Sequence, residues 1–246
     1  MDEITEDAVL NGRVKLRQPA RGYRAGADAA LLAAACDAAD GDRTIEAGCG
    51  AGAALLAAAV RRPGVRFVGV ERDAKAAALG RENIVLNGLA ERVEIVEGDV
   101  GVRFSGLGLE PFDAALANPP FFDDPGILRG PAAERRGAWL ADDGLAAWVG
   151  FLLKAVREGG TITVIHRADR LGDLLALLAD KAGSLQVRPV QPFAEAPAKR
   201  VLVRAVKTGK APLQLLPALV LHDSEGGKHS EAAEEILRGR LGLSWL

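Results

Sequence analysis

The amino-acid sequence predicts an α/β fold in which helices cover both faces of a mostly parallel sheet. Two observations support this fold class. Five short apolar or β-branched segments have the composition of buried strands, and helical patterns of about a dozen residues lie between them. Because a parallel crossover needs about that many residues, the alternation favours parallel pairing.

The segments that we interpret as strands are 43–46, 66–71, 93–97, 113–117 and 161–166. Helices are predicted at 51–61, before Pro63-Gly64, at 74–86, before Asn87-Gly88, and at 141–157, before Gly159-Gly160. A further helix at 170–182 leads to segments 187–192 and 200–207, which we expect to pair antiparallel at the sheet edge. An amphipathic helix is predicted at 230–238.

The chain has 246 residues, 49% hydrophobic and 26% charged, which is typical of a soluble globular protein. We expect one domain over 1–246, with a basic N-terminal segment (1–30), a core (about 31–210) and a C-terminal segment packed on it (211–246). The acidic start lacks a signal peptide's apolar region, and 29–39 is too short to span a bilayer. We therefore expect a cytoplasmic protein without a membrane partner.

The charged and metal-ligating residues restrict the possible partners. A net charge of −2 argues against coating nucleic acid by bulk attraction, but five basic residues and no acid lie between Arg13 and Arg24. That run is either a solvated surface or an RNA contact. Cys36 and Cys49 are too few for a disulfide framework or a zinc site, and the three histidines lack metal-ligand spacing, so no metal is expected.

A glycine-rich turn joins the first predicted strand to its helix. Residues 44–52 read Thr-Ile-Glu-Ala-Gly-Cys-Gly-Ala-Gly, and we expect glycine there because a Cβ would fill the space of a closely bound ligand. The turn alone is weak evidence. Ala53 completes a Gly-x-Gly-x-x-Ala pattern that a dinucleotide enzyme could also use.

Two acids follow the next two strands. Glu71 ends the second strand, where its carboxylate can accept two hydrogen bonds from a ribose diol, a role that NAD would also allow. Asp99 follows the third strand and suits an adenine amine, with Arg72 and Val100 on either side of the ring. Acids that merely cap helices are the simpler alternative for either position.

The fourth strand runs into Asn118-Pro119-Pro120-Phe121. The prolines fix φ and remove two backbone donors, so the turn presents carbonyl acceptors in a stiff frame. The Asn118 side-chain oxygen and the Pro119 carbonyl can accept both protons of a flat NH2 group, and Phe121 offers a face for base stacking. This arrangement predicts catalysis at a planar nitrogen, with Asn118, Pro119, Pro120 and Phe121 as catalytic residues.

The ordered set Glu46 to Gly52, Glu71, Asp99 and Asn118-Pro-Pro-Phe121 resembles the Asn-Pro-Pro-Tyr/Phe group of class I, Rossmann-like methyltransferases over about residues 20–207. Residues 18–32 and 198–207 are similar to the tRNA (adenine-N6)-methyltransferases that modify the adenine next to the anticodon of a valine tRNA. The resemblance implies a seven-stranded, mostly parallel sheet with an antiparallel closing strand, and S-adenosylmethionine as cofactor. It implies that the cofactor is bound by Tyr23, Arg24, Asp28, Glu46, Ala47, Gly48, Cys49, Gly50, Gly52, Glu71, Arg72, Asp99, Val100 and Asn118.

The predicted acceptor is the N6 amine of adenine in RNA, with tRNA as the expected partner. The candidate substrate contacts are Phe121, Phe122, Arg129, Arg135, Lys199 and Arg200, of which the basic ones would meet phosphates. Another planar nitrogen, in ribosomal RNA guanine, DNA adenine or a protein glutamine, is the alternative within this fold. An NAD-binding oxidoreductase or a nucleotide-binding module is the alternative from another class. Trp139 and Trp148, at helical spacing, are expected to pack a helix.

Overall fold

The computed structural model describes residues 3–20, 26–120, 144–224 and 227–245. Eleven strands lie in these ranges: β1 (Ile4–Val9), β2 (Val14–Pro19), β3 (Arg43–Ala47), β4 (Arg66–Glu71), β5 (Val93–Glu97), β6 (Phe112–Ala117), β7 (Val156–Arg167), β8 (Ala182–Gln191), β9 (Arg200–Lys207), β10 (Gln214–Leu215) and β11 (Leu219–Val220). The helices there are α1 (Ala27–Ala35), α2 (Ala53–Arg61), α3 (Ala74–Leu86), α4 (Leu145–Ala155), α5 (Leu171–Leu178) and α6 (Glu231–Leu237), with short 3₁₀ turns at Phe104–Leu107 and Ala168–Arg170.

The main sheet confirms the predicted α/β class. Its strand order is β10-β8-β9-β7-β6-β3-β4-β5, with β11 also on β8. The seven strands β3 to β9 are the predicted ones, and two two-residue strands extend the edge. Pairing is parallel except around β9, which runs antiparallel to both β7 and β8. The antiparallel closing pair is therefore present, and it is β9 that inserts next to β7.

Helices cover the two faces of this sheet and enclose two apolar cores. The first core receives side chains from α1, α2, α3 and α6. The second receives them from α4, α5 and the 3₁₀ turn at Phe104. Residues that alternate along one strand divide between the cores, as Leu202 and Val203 of β9 do. Both faces are thus buried, as a parallel sheet requires.

Two predicted helices are shorter in the structure because strand pairing takes their last residues. The helix predicted at 141–157 ends at Ala155, since Val156 is extended and pairs with Phe112. The helix predicted at 170–182 ends at Leu178, since Ala182 pairs with Lys207. In both cases strand pairing and burial outweigh the helical preference of the residue, which is weak for Val156 and strong for Ala182.

The N-terminal segment forms an antiparallel hairpin of β1 and β2 that the sequence interpretation missed. Val14 and Leu16 are fully buried against the core, whereas Lys15 and Arg17 between them face outward. The alternation and the Asn11-Gly12 turn were the available signals, because both residues adopt the positive φ that tight hairpin turns need. Within the ranges that the structure describes, no helix is both long and apolar enough to cross a bilayer.

Candidate active site

The glycine turn lies at the carboxyl end of β3 and leads directly into α2. Gly48, Gly50 and Gly52 have φ of 64°, 55° and 89°, which lie in the left-handed region that favours glycine. The turn is held by Cys49 N–H, which donates to Val70 O at 3.1 Å, and by Gly52 N–H, which donates to Cys49 O at 2.9 Å. The positive φ angles therefore favour glycine at these three positions, and the two backbone hydrogen bonds hold the turn in this conformation.

Gly48 and Gly50 are required for different reasons. The surroundings of Gly48 correct the expectation that a Cβ there would fill the space of a ligand. A Cβ on Gly48 would lie only 2.2 Å from Cη2 of Trp148, so the space beside Gly48 belongs to a core side chain rather than to a ligand. A Cβ on Gly50 would meet no atom within 4 Å. The open side of the turn is therefore at Gly50, where a bound molecule can approach the backbone.

Glu46 lies in β3 immediately before the turn, and its side chain is buried. Only 3% of the residue is exposed, and burial, with a smaller contribution from the charge of Glu71, holds the pKa of the Glu46 carboxyl well above its usual range. The backbone N–H of Leu55 in α2 partly offsets this effect. Glu46 thus lies against α2 inside the protein, and its predicted contact with a cofactor stays a prediction.

Glu71 ends β4 beside the turn, and its two carboxylate oxygens are oriented by the backbone. Oε2 accepts from Gly50 N–H at 2.8 Å, and Oε1 accepts from Asp73 N–H at 2.9 Å. Because each oxygen has a further lone pair, the carboxylate can still accept hydrogen bonds from a ligand. The predicted ribose acceptor therefore lies in contact with the glycine turn.

Asp99 follows β5 at the same edge of the sheet. Its Oδ1 accepts from Gly101 N–H at 2.7 Å, and its Oδ2 lies 3.7 Å from Nη1 of Arg72. These two residues, which were predicted to hold an adenine ring together, are brought together in the structure. Val100 is different: it is 8% exposed and packs in the second core.

Asn118, Pro119 and Pro120 follow β6 without a break. β6 is the neighbour of β3, and Ala47 pairs with Ala117 in the parallel register. The residue after each partner is Gly48 on one strand and Asn118 on the other, so the glycine turn and the Asn-Pro-Pro segment begin side by side.

Several predicted residues lie outside the described ranges: Tyr23, Arg24, Phe121, Phe122, Arg129, Arg135 and Trp139. Asp28 and Arg200 were predicted to contact cofactor and substrate, respectively, and the structure pairs them with each other: Arg200 Nε lies 2.9 Å from Asp28 Oδ2, and both side chains are partly buried. Lys199 is exposed beside them. Of the basic N-terminal run, Arg13 donates to Gly239 O at 2.8 Å, which ties it to the end of α6.

Sequence reasoning missed two neighbours of the glycine turn. Trp148 was expected to pack a helix, and it does, but its ring also fills the space beside Gly48. Asn83 of α3 was not singled out, although its side chain donates to Ala51 O in the turn at 2.9 Å. A fully apolar helix face would not need asparagine, so its presence on the buried side of α3 was the available signal.

His166, near the end of β7, is a further buried titratable group. Burial and the nearby Arg170, Arg167 and Arg200 lower the pKa of His166 to about 4, so the imidazole is neutral at physiological pH. Across 3–20, 26–120, 144–224 and 227–245, no group of three or more His, Cys, Asp or Glu side chains could hold a metal ion.

Comparison with known proteins agrees with this geometry. Residues 25–129 match the family described as methyltransferase small domain. The chain is 28% identical over 165 residues to a release factor glutamine methyltransferase of Chlorobaculum tepidum, covering 64% of this chain and 56% of that protein. It is 32% identical over 161 residues to a tRNA1(Val) (adenine(37)-N6)-methyltransferase of Aeromonas hydrophila, covering 64% of this chain and 65% of that protein. The chain thus spans between about half and two thirds of these relatives.

A solved structure is similar over most of the molecule. It is a predicted O-methyltransferase from Agrobacterium tumefaciens, with a TM-score of 0.74 at 25% identity, covering 88% of this chain and 98% of that one. The family match and this likeness confirm the predicted fold and indicate the predicted cofactor, S-adenosylmethionine. The chain therefore has the fold of the class I methyltransferases, and residues 25–129 within it are similar to the methyltransferase small domain family.

Proposed function

We propose that this protein is an S-adenosylmethionine-dependent N-methyltransferase that acts on the N6 amine of adenine in RNA, with a tRNA adenine next to the anticodon as its target. The observation that carries the proposal is the register of β3 and β6. It sets the glycine turn and Asn118-Pro119-Pro120 side by side at the carboxyl edge of the sheet, the edge at which open α/β folds bind ligands.

The cofactor is proposed to lie across the ends of β3, β4 and β5. Its methionine part would approach the backbone at Gly50, where a Cβ would meet open space. Its ribose diol would donate to Glu71, whose carboxylate is already oriented by two backbone amides. Its adenine amine would donate to Asp99, with the guanidinium of Arg72 alongside. These contacts use the acceptors that the carboxylates retain.

The chain's own contribution to the reaction is orientation. A sulfonium methyl is already activated, so rate depends on holding nitrogen, carbon and sulfur in line. The Asn118 side-chain oxygen and the Pro119 carbonyl accept the two amine protons, which turns the nitrogen lone pair towards the methyl carbon. Bound S-adenosylmethionine would supply the methyl group to the nitrogen and its sulfur would keep the electron pair of the broken carbon–sulfur bond, while the extra proton on the nitrogen would leave for water. Because the product nitrogen is a strong acid when protonated, no strong base is required.

Adenine in RNA is preferred to a protein glutamine because of the resemblance at residues 18–32 and the basic side chains near the edge. Lys15 and Arg17 face outward from β2, and Lys199 is exposed next to β9. The similarity to a release factor glutamine methyltransferase keeps the glutamine amide as the second candidate. If the basic groups contact phosphates, RNA binding should weaken steeply as salt rises.

A labelling experiment tests the acceptor. The purified protein is incubated with methyl-labelled S-adenosylmethionine and with total RNA, DNA or protein, and the labelled polymer is digested to nucleosides or amino acids. We expect label in RNA as N6-methyladenosine. Label confined to N5-methylglutamine would establish the second candidate instead, and absence of label from all three polymers would contradict both.

Substitution of Asn118 tests the catalytic assignment. Asn118→Ala removes one of the two amine acceptors and should lower methyl transfer by at least about a hundredfold, as loss of an oriented polar group at a reaction centre does. The affinity for S-adenosylhomocysteine should change less than about threefold, which is measured by calorimetry on the same preparation. A parallel loss of both properties would show that Asn118 supports the fold of the site rather than the reaction.

A further inference from the structure

Two asparagines, Asn83 in α3 and Asn87 immediately after its last residue, bind the backbone of the N-terminal hairpin. Asn87 Oδ1 accepts from Lys15 N–H at 2.9 Å, and its Nδ2 donates to Lys15 O at 2.7 Å. Asn83 makes the same two bonds to Arg17, at 2.9 and 2.8 Å. Four residues of a helix and two residues of a strand both span about 6 to 7 Å. The spacing of the two amides therefore matches that of Lys15 and Arg17, and the amides bind this side of β2 as a neighbouring strand would.

Asn83 alone also reaches the glycine turn. The second proton of its Nδ2 is donated to Ala51 O at 2.9 Å, and the residue is fully buried. Both amide protons and the carbonyl oxygen are therefore used, two groups on the hairpin and one on the turn. Asn87 directs its remaining proton to Asn83 O within α3, at 2.7 Å. The two side chains thus differ in one respect: only Asn83 joins the hairpin to the turn.

The contact between α3 and the turn is also close at Gly80. A Cβ on Gly80, one helical turn earlier, would lie 3.3 Å from Gly50 O and 2.5 Å from Cδ1 of Ile95. The backbone of α3 therefore packs directly on the turn at Gly50 and Ala51. The Ala51 carbonyl in this part of the turn is thus joined to Arg17 in β2 through one side chain, the Asn83 amide.

We propose that Asn83 is a positioning residue that couples the glycine turn to the N-terminal hairpin, so that a sulfonium nucleoside bound at the turn also orders β2. This inference rests on the proposed function for the identity of the ligand. It follows from a buried amide that bonds both segments at once, because loss of either partner leaves a buried polar group unsatisfied. By thermodynamic linkage, ordering of the hairpin strengthens cofactor binding by the same factor by which cofactor binding favours the ordered hairpin.

Hydrogen exchange on the unmodified protein tests the coupling. Exchange of the β2 amides, residues 14–18, is measured by mass spectrometry with and without saturating S-adenosylhomocysteine. We expect the ligand to slow exchange of Arg17 and its neighbours, although they lie outside the proposed pocket. Unchanged β2 exchange in protein that demonstrably binds the ligand would overturn the coupling and leave the proposed function intact. A protein that does not bind the ligand at all would overturn both.

Asn83→Ala and Asn87→Ala form a matched pair for the second test. Both remove an amide that holds β2, so both should lower the melting temperature, but only Asn83→Ala removes the bond to the turn. We expect the Kd for S-adenosylhomocysteine to rise about tenfold in Asn83→Ala and less than about twofold in Asn87→Ala. Equal affinities in the two variants would show a merely structural role. If Asn83→Ala does not fold, the exchange experiment decides.

Discussion

Substitution of Gly48 by alanine should lower the free energy of unfolding, because the new Cβ would clash with Trp148. The clash is with the protein's own core rather than with a ligand. The new Cβ would lie 2.2 Å from Cη2 of Trp148, whereas carbon atoms pack at about 3.5 to 4 Å. Ring or turn must therefore move by more than about 1 Å, and such overpacking costs about 1 to 3 kcal/mol. The φ of 64° adds about 1 to 2 kcal/mol for a residue with a Cβ.

The expected total loss is about 2 to 5 kcal/mol in the free energy of unfolding. Urea denaturation of four proteins measures it: the wild type, Gly48→Ala, Trp148→Leu and the double variant. In the Trp148→Leu background the ring is gone, so Gly48→Ala should retain only the backbone cost of about 1 to 2 kcal/mol. Additivity of the two substitutions within about 0.5 kcal/mol would refute the reasoning.

Gly50→Ala is the control for this experiment. Its φ of 55° imposes a similar backbone cost, but a Cβ there would meet nothing within 4 Å. Stability should therefore fall by only about 1 to 2 kcal/mol, while the affinity for S-adenosylhomocysteine should fall steeply, since the open space is where the ligand is proposed to lie. If Gly50→Ala retains its affinity for S-adenosylhomocysteine, the cofactor does not bind at this part of the turn.

Two further predictions concern the interior. Because the pKa of Glu46 is raised, the folded protein holds this proton to higher pH than the unfolded chain does. The contribution of this carboxyl to the free energy of unfolding is therefore complete below pH 4.5 and is lost as pH rises above that value. Glu46→Gln should abolish that loss, and its melting temperature should exceed that of the wild type by a margin that grows with pH; a constant margin would contradict the burial of the charge. Trp245→Phe removes the buried hydrogen bond that Nε1 donates to Ala35 O at 2.8 Å. The free energy of unfolding, measured by urea denaturation, should fall by about 1 to 3 kcal/mol. A loss below about 0.5 kcal/mol would count against this hydrogen bond.

The central strands could be predicted because their sequences contain few competing signals. Segments such as 66–71 and 113–117 are short, apolar and followed by turn residues, and the structure begins or ends them within a residue of the prediction. The hairpin of β1 and β2 was harder, since charged residues alternate with Val14 and Leu16 and resemble a basic surface run. Its backbone is also hydrogen-bonded to Asn83 and Asn87, which lie far away in the chain.

The sequence predicts which candidate site residues share one edge of the sheet, because these residue types occur in a fixed order along the chain. Glu71, Asp99 and Asn118 follow successive strands, and the parallel sheet brings their strand ends to one edge. Pairings between side chains were not predictable. Nothing in the local sequence shows that Arg200 meets Asp28, or that Trp148 fills the space beside Gly48, because both contacts depend on how the helices pack on the sheet.

The place of β3 in the sheet also has a consequence for how the protein is made. β3 carries the glycine turn and β6 carries Asn118, yet β4 and β5 are synthesised between these two neighbours. A growing chain therefore displays β3 as an unpaired edge until β6 has left the ribosome and inserted beside it, and open edges invite pairing with other chains. A fragment that ends before Phe112 would contain the glycine turn without Asn118, so the proposed cofactor contacts and the proposed catalytic residue would be completed at separate moments of synthesis.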